Sequence, residues 1–488
     1  MTKILLINPP LLDQTKYNKP PLLSATPGTG LSYLYSFLKK NNFYDCKIYD
    51  FYFDDWKYIH DTLKKEMADV IGITCLTEGR ANAFKLISLI RKIKENTIII
   101  FGGHHSTYMY DQILLNYDID YVILGEGEVK LLNLLQYIEG KIPLQLVDGI
   151  AYIKGRSIIK NMGNIHNYID NLDDLPFPFS EEQMEIFDKY PDFEKIRPFE
   201  AKKLSENIYK RNKMISIITS RGCPFNCQFC SSTLFWGKKW RFRTPENIAD
   251  EIEYYYKKFG FRYFNFADDA FTILPKRSIV ICKEIINRNL KIQFDCTTRS
   301  DRITDELAMW LKKAGCIQIA LGVESGSKKI LKTINKNLSI NSIIKAFNIL
   351  NKHNLDPYPL LMVGNPGDSR ETIKKTISLL RIIKPNRVAV SITMVFPGTE
   401  LFNLSMKQGF IDKDFWLSEK PPPFYTFEHS MKKLRKWSFE VYNYKKTKYQ
   451  LKILKLKIKS VRIIKFVIKN TLKNYNKIRE YVKIRFRI

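Results

Sequence analysis

The residues with most chemistry in them are three cysteines in the run Arg221-Gly222-Cys223-Pro224-Phe225-Asn226-Cys227-Gln228-Phe229-Cys230. Cys223, Cys227 and Cys230 stand at C-x3-C-x2-C spacing, just after an apolar, strand-like run at 214–219. Three thiolates can hold three irons of a four-iron cluster and leave the fourth iron without a protein ligand. An open iron is a place for a substrate or cosubstrate, as an open position is on catalytic zinc. Ferredoxins and zinc fingers supply four ligands at other spacings. The plainer alternative is three structural cysteines that happen to be close.

The elements around this run alternate. From 215 to about 409, candidate strands at 214–219, 263–267, 293–297, 318–321, 359–363 and 387–394 are separated by helix-like patterns. Polar phrases fall at the strand ends, where parallel barrels carry their functional residues. They are Asp268-Asp269, Cys296-Thr297-Thr298-Arg299, Gly322-Val323-Glu324-Ser325, Gly364-Asn365-Pro366-Gly367 and Phe396-Pro397-Gly398-Thr399. Asp268 and Asp269 also read as a cap on the next helix. No tyrosine, cysteine or methionine is marked out as a substrate base or radical quencher, and Cys296 and Cys316 read as core thiols.

Residues 1–145 alternate too, with strands expected at 3–7, 46–50, 70–74, 97–101 and 121–124, and helices at 31–40, 56–66, 81–94 and 109–116. This α/β pattern implies a doubly wound, Rossmann-like parallel sheet, whose ligands bind beyond the carboxyl ends of the strands. The loops there are Asn8-Pro9-Pro10, residues 74–79, Gly102-Gly103-His104-His105-Ser106-Thr107 and Gly125-Glu126-Gly127-Glu128. Singly, each needs to be no more than a tight turn or a pair of surface histidines. Residues 146–205 read as a linker with a small hairpin, broken by the prolines of Leu172-Asp173-Asp174-Leu175-Pro176-Phe177-Pro178.

At 488 residues the chain has room for two or three domains with real cores, and 45% hydrophobic residues make most of it globular. Eight cysteines, scattered outside the triplet, are too few for a disulfide scaffold, which points to a reducing cytoplasm. The chain opens on an apolar strand pattern rather than a signal peptide, and no run reaches the length of a membrane span. The net charge of +29 concentrates at the end: residues 431–488 hold 20 Lys/Arg against two acids, with apolar residues at helical spacing from Ile464 to Val482. Such a basic, mostly helical extension, 411–488, fits an anionic membrane surface or a helix packed on the barrel. Nucleic acid is a distant third, since no nucleic-acid module is present.

The cysteine spacing, with Phe229 just before the last cysteine, resembles the cluster motif of the radical SAM superfamily. The loops of the first domain, in their order, resemble the cobalamin-binding domain of many radical SAM proteins, which read Asn-Pro-Pro, then Gly-Gly-x-His-x-Thr, then Gly-Glu-Gly-Glu. The resemblance covers about residues 1–410. It implies a cobalamin-binding domain at 1–145 and a partial (β/α)6, TIM-like radical SAM core at 206–410. It implies a [4Fe-4S] cluster on Cys223, Cys227 and Cys230, whose open iron chelates S-adenosylmethionine. Asp268 and Asp269 then face the methionyl amine, Arg299 the carboxylate, Glu324 the ribose or amine, and Gly364 and Pro366 the adenine. Asn8, Gly102, Gly103, His105, Gly125 and Glu126 are implied to hold cobalamin. The Asp-x-His-x-x-Gly motif that supplies an axial histidine to cobalt elsewhere is absent. The activity implied is cleavage of S-adenosylmethionine to a 5′-deoxyadenosyl radical and C-methylation of an unactivated carbon. The electrons come from a flavodoxin or ferredoxin, and the substrate is a small or lipid-linked molecule, met in the cytoplasm or at the inner membrane surface. A cobalamin-independent rearrangement, cyclisation or oxidation is the second reading, and a non-catalytic cobalamin or redox sensor the third.

Overall fold

The computed structural model of the chain describes residues 2–10, 26–162, 168–193 and 213–446. Its first five strands, β1 (Ile4–Asn8), β2 (Cys46–Asp50), β3 (Val70–Thr74), β4 (Ile98–Gly102) and β5 (Tyr121–Ile123), form a parallel sheet in the order β2-β1-β3-β4-β5. Their side chains alternate between two covered faces, as strands buried on both sides require. Ile4 and Leu6 pack towards helices 29–40 and 128–138, whereas Leu5 and Ile7 pack towards helices 56–66 and 80–93. The chain leaves β1 for β2 on one side and reaches β3 on the other, so a crevice opens at the carboxyl ends of β1 and β3. The hairpin between the domains, β6 (Ile150–Lys154) and β7 (Ser157–Asn161), pairs antiparallel onto β5 and extends this first sheet to seven strands.

The second unit begins with β8 (Met214–Ile217) and a short antiparallel pair, β9 (Ser220–Arg221) and β10 (Arg241–Phe242). It continues through β11 (Tyr263–Phe266), β12 (Gln293–Thr298), β13 (Cys316–Glu324), β14 (Asp356–Val363) and β15 (Ala389–Ile392). Hydrogen bonding runs β8-β11-β12-β13-β14-β15, all parallel and in chain order, which is an open half-barrel with β8 and β15 as its outer strands. Ile215, Ile217, Phe264, Phe266, Phe294 and Leu321 turn outwards into one large core under the helices. Those helices have clear local signals. Helix 245–259 starts at Pro245, with the Thr244 hydroxyl accepting from Asn247 N at 3.2 Å, and stops at Gly260 in the left-handed region. Cys46, Cys75, Cys282, Cys296 and Cys316 are all buried thiols.

Residues 411–446 are built into both units. Residues 423–425 bridge the end of the sixth barrel strand through Met394 and Phe424, and helix 431–442 sets Leu434, Trp437 and Val441 into the barrel core. Trp416, fully buried, belongs instead to the core of the first domain. Arg80, 1% exposed, holds that segment by donating to the carbonyls of Trp416 (3.0 Å), Ser418 (2.8 Å) and Lys420, with its guanidinium 5.1 Å from the Trp416 ring. Arg80→Met would leave those carbonyls unpaired, so it is expected to destabilise the first domain by about 3 kcal/mol in urea denaturation. The expected amphipathic run from Ile464 to Val482 lies outside the described residues, as do the rest of 447–488.

Candidate active site between the two domains

The cysteine loop runs from β9 to the short helix 232–236. Gly222 takes φ +90°, and a Cβ there would lie 2.5 Å from the Lys239 carbonyl oxygen, so the loop closes only because this residue is glycine. Beyond it the loop is tied from several sides: Gln228 N donates to Ile334 O (3.0 Å), Gln228 O accepts from Leu401 N (3.1 Å), and the Thr233 hydroxyl donates to Phe225 O (2.7 Å). Phe229 packs against the cluster of Val395, Leu401, Ile411 and Tyr425 and so anchors the loop to the segment after the sixth barrel strand.

The three thiols are half-buried. Burial raises all three pKa values, that of Cys230 to about 11, so the thiolate forms need a cation to draw them out. They are close enough for Cys223, Cys227 and Cys230 to act on one another electrostatically. Yet among the described residues no three His, Cys, Asp or Glu side chains converge tightly enough to hold a single ion. A four-iron cluster makes a different demand, since each thiolate then ligates a different iron.

The strand-end side chains divide into two groups. Arg299, Glu324 and Asp269 gather at the loop. The Arg299 guanidinium lies 3.7 Å from the Phe225 ring and donates to Asp301 and to Lys336 O, while its buried Nη1 has no hydrogen-bond partner. An orphaned buried donor asks for a ligand. Glu324 sits at a break in the β13–β14 register with φ +59°, an uncommon and strained conformation for a glutamate. It accepts from Lys336 Nζ at 2.9 Å, and this pair and Arg299 act electrostatically on Cys227. Asp269 accepts from the Ser232 hydroxyl and influences Cys223 and Cys230. It keeps accessible surface, but burial by the surrounding protein still raises its pKa, as at the mouth of a concavity.

Asp268 and Gly364 have other partners, and Pro366 is buried. Asp268 spends both oxygens on Thr219 N and Ser220 N (2.8 Å each) and on the Thr219 hydroxyl, holding the entry to the loop rather than facing a ligand. Gly364 N and Asn365 N bind the Asp368 carboxylate, and a Cβ on Gly364 would lie 3.0 Å from Leu434 of helix 431–442. Lys336 is the residue that inspection of the strand ends misses. It lies twelve positions beyond Glu324, and its only local signal is the Asn335-Lys336-Asn337 turn, whose asparagines adopt positive φ.

A cavity of about 660 Å³ opens between the strand ends of the first domain and the barrel. Asn8, Gly102, Gly103, Gly125 and Glu126 line it. Asn8 is oriented by the Asp50 carboxylate, 2.9 Å from its Nδ2. A Cβ added at Gly28, Gly30 or Gly102 would meet nothing within 4 Å, so these bare backbones leave room that side chains would fill. Arg221, Phe235 and Trp236 close the barrel side.

His105 is not in this wall. It is 1% exposed, behind the loop, with Nδ1 3.3 Å from the Thr77 hydroxyl and its ring against Trp416, and burial pushes its pKa down to about 3. His104 lines the cavity instead, stacked 3.9 Å from Phe235 and kept neutral by burial, which lowers its pKa to about 4. Glu126 lines the cavity, but its carboxylate is engaged by Arg241 and faces Arg221.

A parallel half-barrel with three cysteines beyond its first strand, set against a Rossmann-like sheet, defines a radical SAM enzyme with a second cofactor domain. The Radical SAM superfamily model matches residues 217–380, and the B12 binding domain model matches residues 23–135. The chain thus carries both domains of the radical SAM proteins that have a B12-binding domain. An uncharacterized methyltransferase of Pyrococcus horikoshii is 29% identical over 413 residues, covering 83% of each chain. The anaerobic magnesium-protoporphyrin IX monomethyl ester cyclase of Rubrivivax gelatinosus is 28% identical over 77% of this chain and 66% of its own length. Among solved structures, the radical S-adenosylmethionine methyltransferase TsrM from Kitasatospora setae superposes with a TM-score of 0.65 at 17% identity, over 84% of this chain and 77% of that one, a likeness of fold. The cofactors of this family are a [4Fe-4S] cluster, S-adenosylmethionine and cobalamin. The three spaced thiols, the orphaned donor of Arg299 and the glycine-lined cavity fit them in turn. No helix among the described residues is long and apolar enough to cross a membrane.

Proposed function

We propose that this protein is a cobalamin-dependent radical SAM methyltransferase that methylates an unactivated carbon of a small or lipid-linked substrate. The observation that carries this reading is the shared wall: Arg221 lines the cofactor cavity and lies two residues before Cys223, so the two cofactor sites adjoin. When bound, the cluster with S-adenosylmethionine supplies a 5′-deoxyadenosyl radical to take a hydrogen atom from the substrate, and cobalamin supplies the methyl group. The chain's own residues bind and orient. Cys223, Cys227 and Cys230 hold the cluster, while the Arg299 fork meets the methionyl carboxylate through its unpartnered Nη1. Glu324, held by Lys336, and Asp269 present acceptors at the same mouth. Gly28, Gly30 and Gly102 let a large planar ligand approach the backbone, and His104 with Phe235 forms an apolar, uncharged side of its cavity.

Arg299→Lys keeps the charge and loses the fork. It is expected to raise the KM for S-adenosylmethionine roughly tenfold, the worth of about one charge-assisted hydrogen bond. Initial rates of 5′-deoxyadenosine formation check this, and an unchanged KM removes Arg299 from the carboxylate's set. The methyl-transfer reading is tested by anaerobic turnover with methyl-deuterated S-adenosylmethionine and candidate acceptors. S-adenosylhomocysteine, 5′-deoxyadenosine and a deuterated product together support it. Turnover to 5′-deoxyadenosine and methionine alone favours the second reading, cyclisation or oxidation without methyl transfer, to which the similarity with the cyclase points. The reductant is a flavodoxin or ferredoxin in a reducing cytoplasm. The basic tail 431–488 gives peripheral contact with an anionic inner membrane surface. Liposome flotation that does not depend on the tail would remove that contact.

A further inference from the structure

The barrel does not hold the cysteine loop alone. At the start of the loop, the Arg221 guanidinium donates to Glu128 Oε1 at 2.7 Å and lies 3.4 Å from Glu126 Oε2. Both acids are buried and both belong to the first domain. Glu126 also pairs with Arg241, which stands opposite Arg221 in the β9–β10 ladder. At the end of the loop, Ser231 follows Cys230, and its carbonyl accepts a hydrogen bond from the Tyr108 hydroxyl at 3.1 Å. Tyr108 is again a residue of the first domain. Its ring fills the place where a Cβ on Gly398 would come within 2.7 Å, so Gly398 must stay bare for the tyrosine to reach the loop.

We infer that Tyr108, Glu126 and Glu128 are positioning residues of the iron–sulfur site, through which the first domain fixes both ends of the cysteine loop. The inference rests on the reading of that loop as the cluster site. The contacts have different strengths, which makes the idea testable. Removing a carboxylate leaves the buried Arg221 without its closest counter-charge, a severe change. Removing the tyrosine hydroxyl deletes one neutral hydrogen bond and keeps the ring, a mild one. Both alter the path of the backbone at the cysteines, and hydrogen bonds and solvent access around the sulfurs set a cluster's electronic properties. Neither side chain is one of the three thiols, and each reaches the loop through Arg221 or the Ser231 carbonyl.

The experiment uses the full-length protein and its Tyr108→Phe and Glu128→Gln variants, each reconstituted anaerobically with iron and sulfide. Iron and sulfide are counted, and the reduced cluster is examined by electron paramagnetic resonance. The expected result is wild-type iron and sulfide in Tyr108→Phe with shifted g values, and a larger shift in Glu128→Gln. Spectra from both variants that superpose on wild type would overturn the inference. Loss of iron from Glu128→Gln at an unchanged melting temperature also supports it. If that variant melts far lower and loses iron, Tyr108→Phe decides alone: a shifted spectrum supports the inference and a superposable one overturns it. A wild-type protein that takes up neither iron nor sulfide would overturn the cluster reading itself, and this inference with it.

Discussion

Cys223→Ala, Cys227→Ala and Cys230→Ala each abolish 5′-deoxyadenosine formation in an anaerobic assay with S-adenosylmethionine and a strong reductant. The expectation follows from the ligand count. Three thiolates for four irons leaves one coordination site for the cosubstrate. With two thiolates, two irons lack a protein ligand, and the cluster loses both stability and the asymmetry that directs the cosubstrate to one iron. No other cysteine can substitute, because Cys282, Cys296 and Cys316 are buried in the barrel core and Cys46 and Cys75 in the first domain. Undiminished cleavage by any one variant would contradict the assignment.

Gly222→Ala is expected to hold only a small fraction of the wild-type iron and sulfide after reconstitution. An alanine at φ +90° costs of the order of 1–2 kcal/mol from conformation alone. The contact costs more, since the new methyl would stand 2.5 Å from the Lys239 carbonyl, which cannot retreat easily. Two residues on, Arg241 is fixed by its buried ion pair with Glu126. Gly237→Ala separates the two effects. Gly237 also has positive φ (+80°), but a Cβ there would find its nearest neighbour, the Tyr168 hydroxyl, at 3.6 Å. It should therefore keep most of its cluster, and full iron loading of Gly222→Ala would show that the loop can shift to admit a methyl group.

Much of this architecture is legible from local pattern. The parallel strands are short runs of β-branched and aromatic residues, and the cysteine triplet and the glycine loops need only spacing to be seen. What escapes is whatever depends on a single residue's direction or on distant pairing. Neighbouring residues on a helix differ by about 100° in direction, so the motif that selects His105 cannot tell that His104 looks into the cavity. Asp268 and Asp269 are equivalent by type, yet Asp268 turns back to bind the Thr219 and Ser220 amides while Asp269 stays near the thiols. The Gly-Glu-Gly-Glu phrase reads as ligand binding. Its carboxylates instead meet Arg221 and Arg241, more than 90 residues away, which no local window can foresee. The capture of the 416–420 segment by Arg80 spans more than 330 residues and is equally hidden.

On this reading one chain houses two cofactor sites side by side. That arrangement is tested most directly by counting iron, sulfide and corrin in protein purified anaerobically from cells supplied with cobalamin. The expected result is about four irons and four sulfides, and about one corrin with its visible spectrum, per chain. Iron and sulfide without corrin, at a cobalamin concentration that saturates uptake, would contradict the assignment of the cavity and with it the methyl-transfer reading.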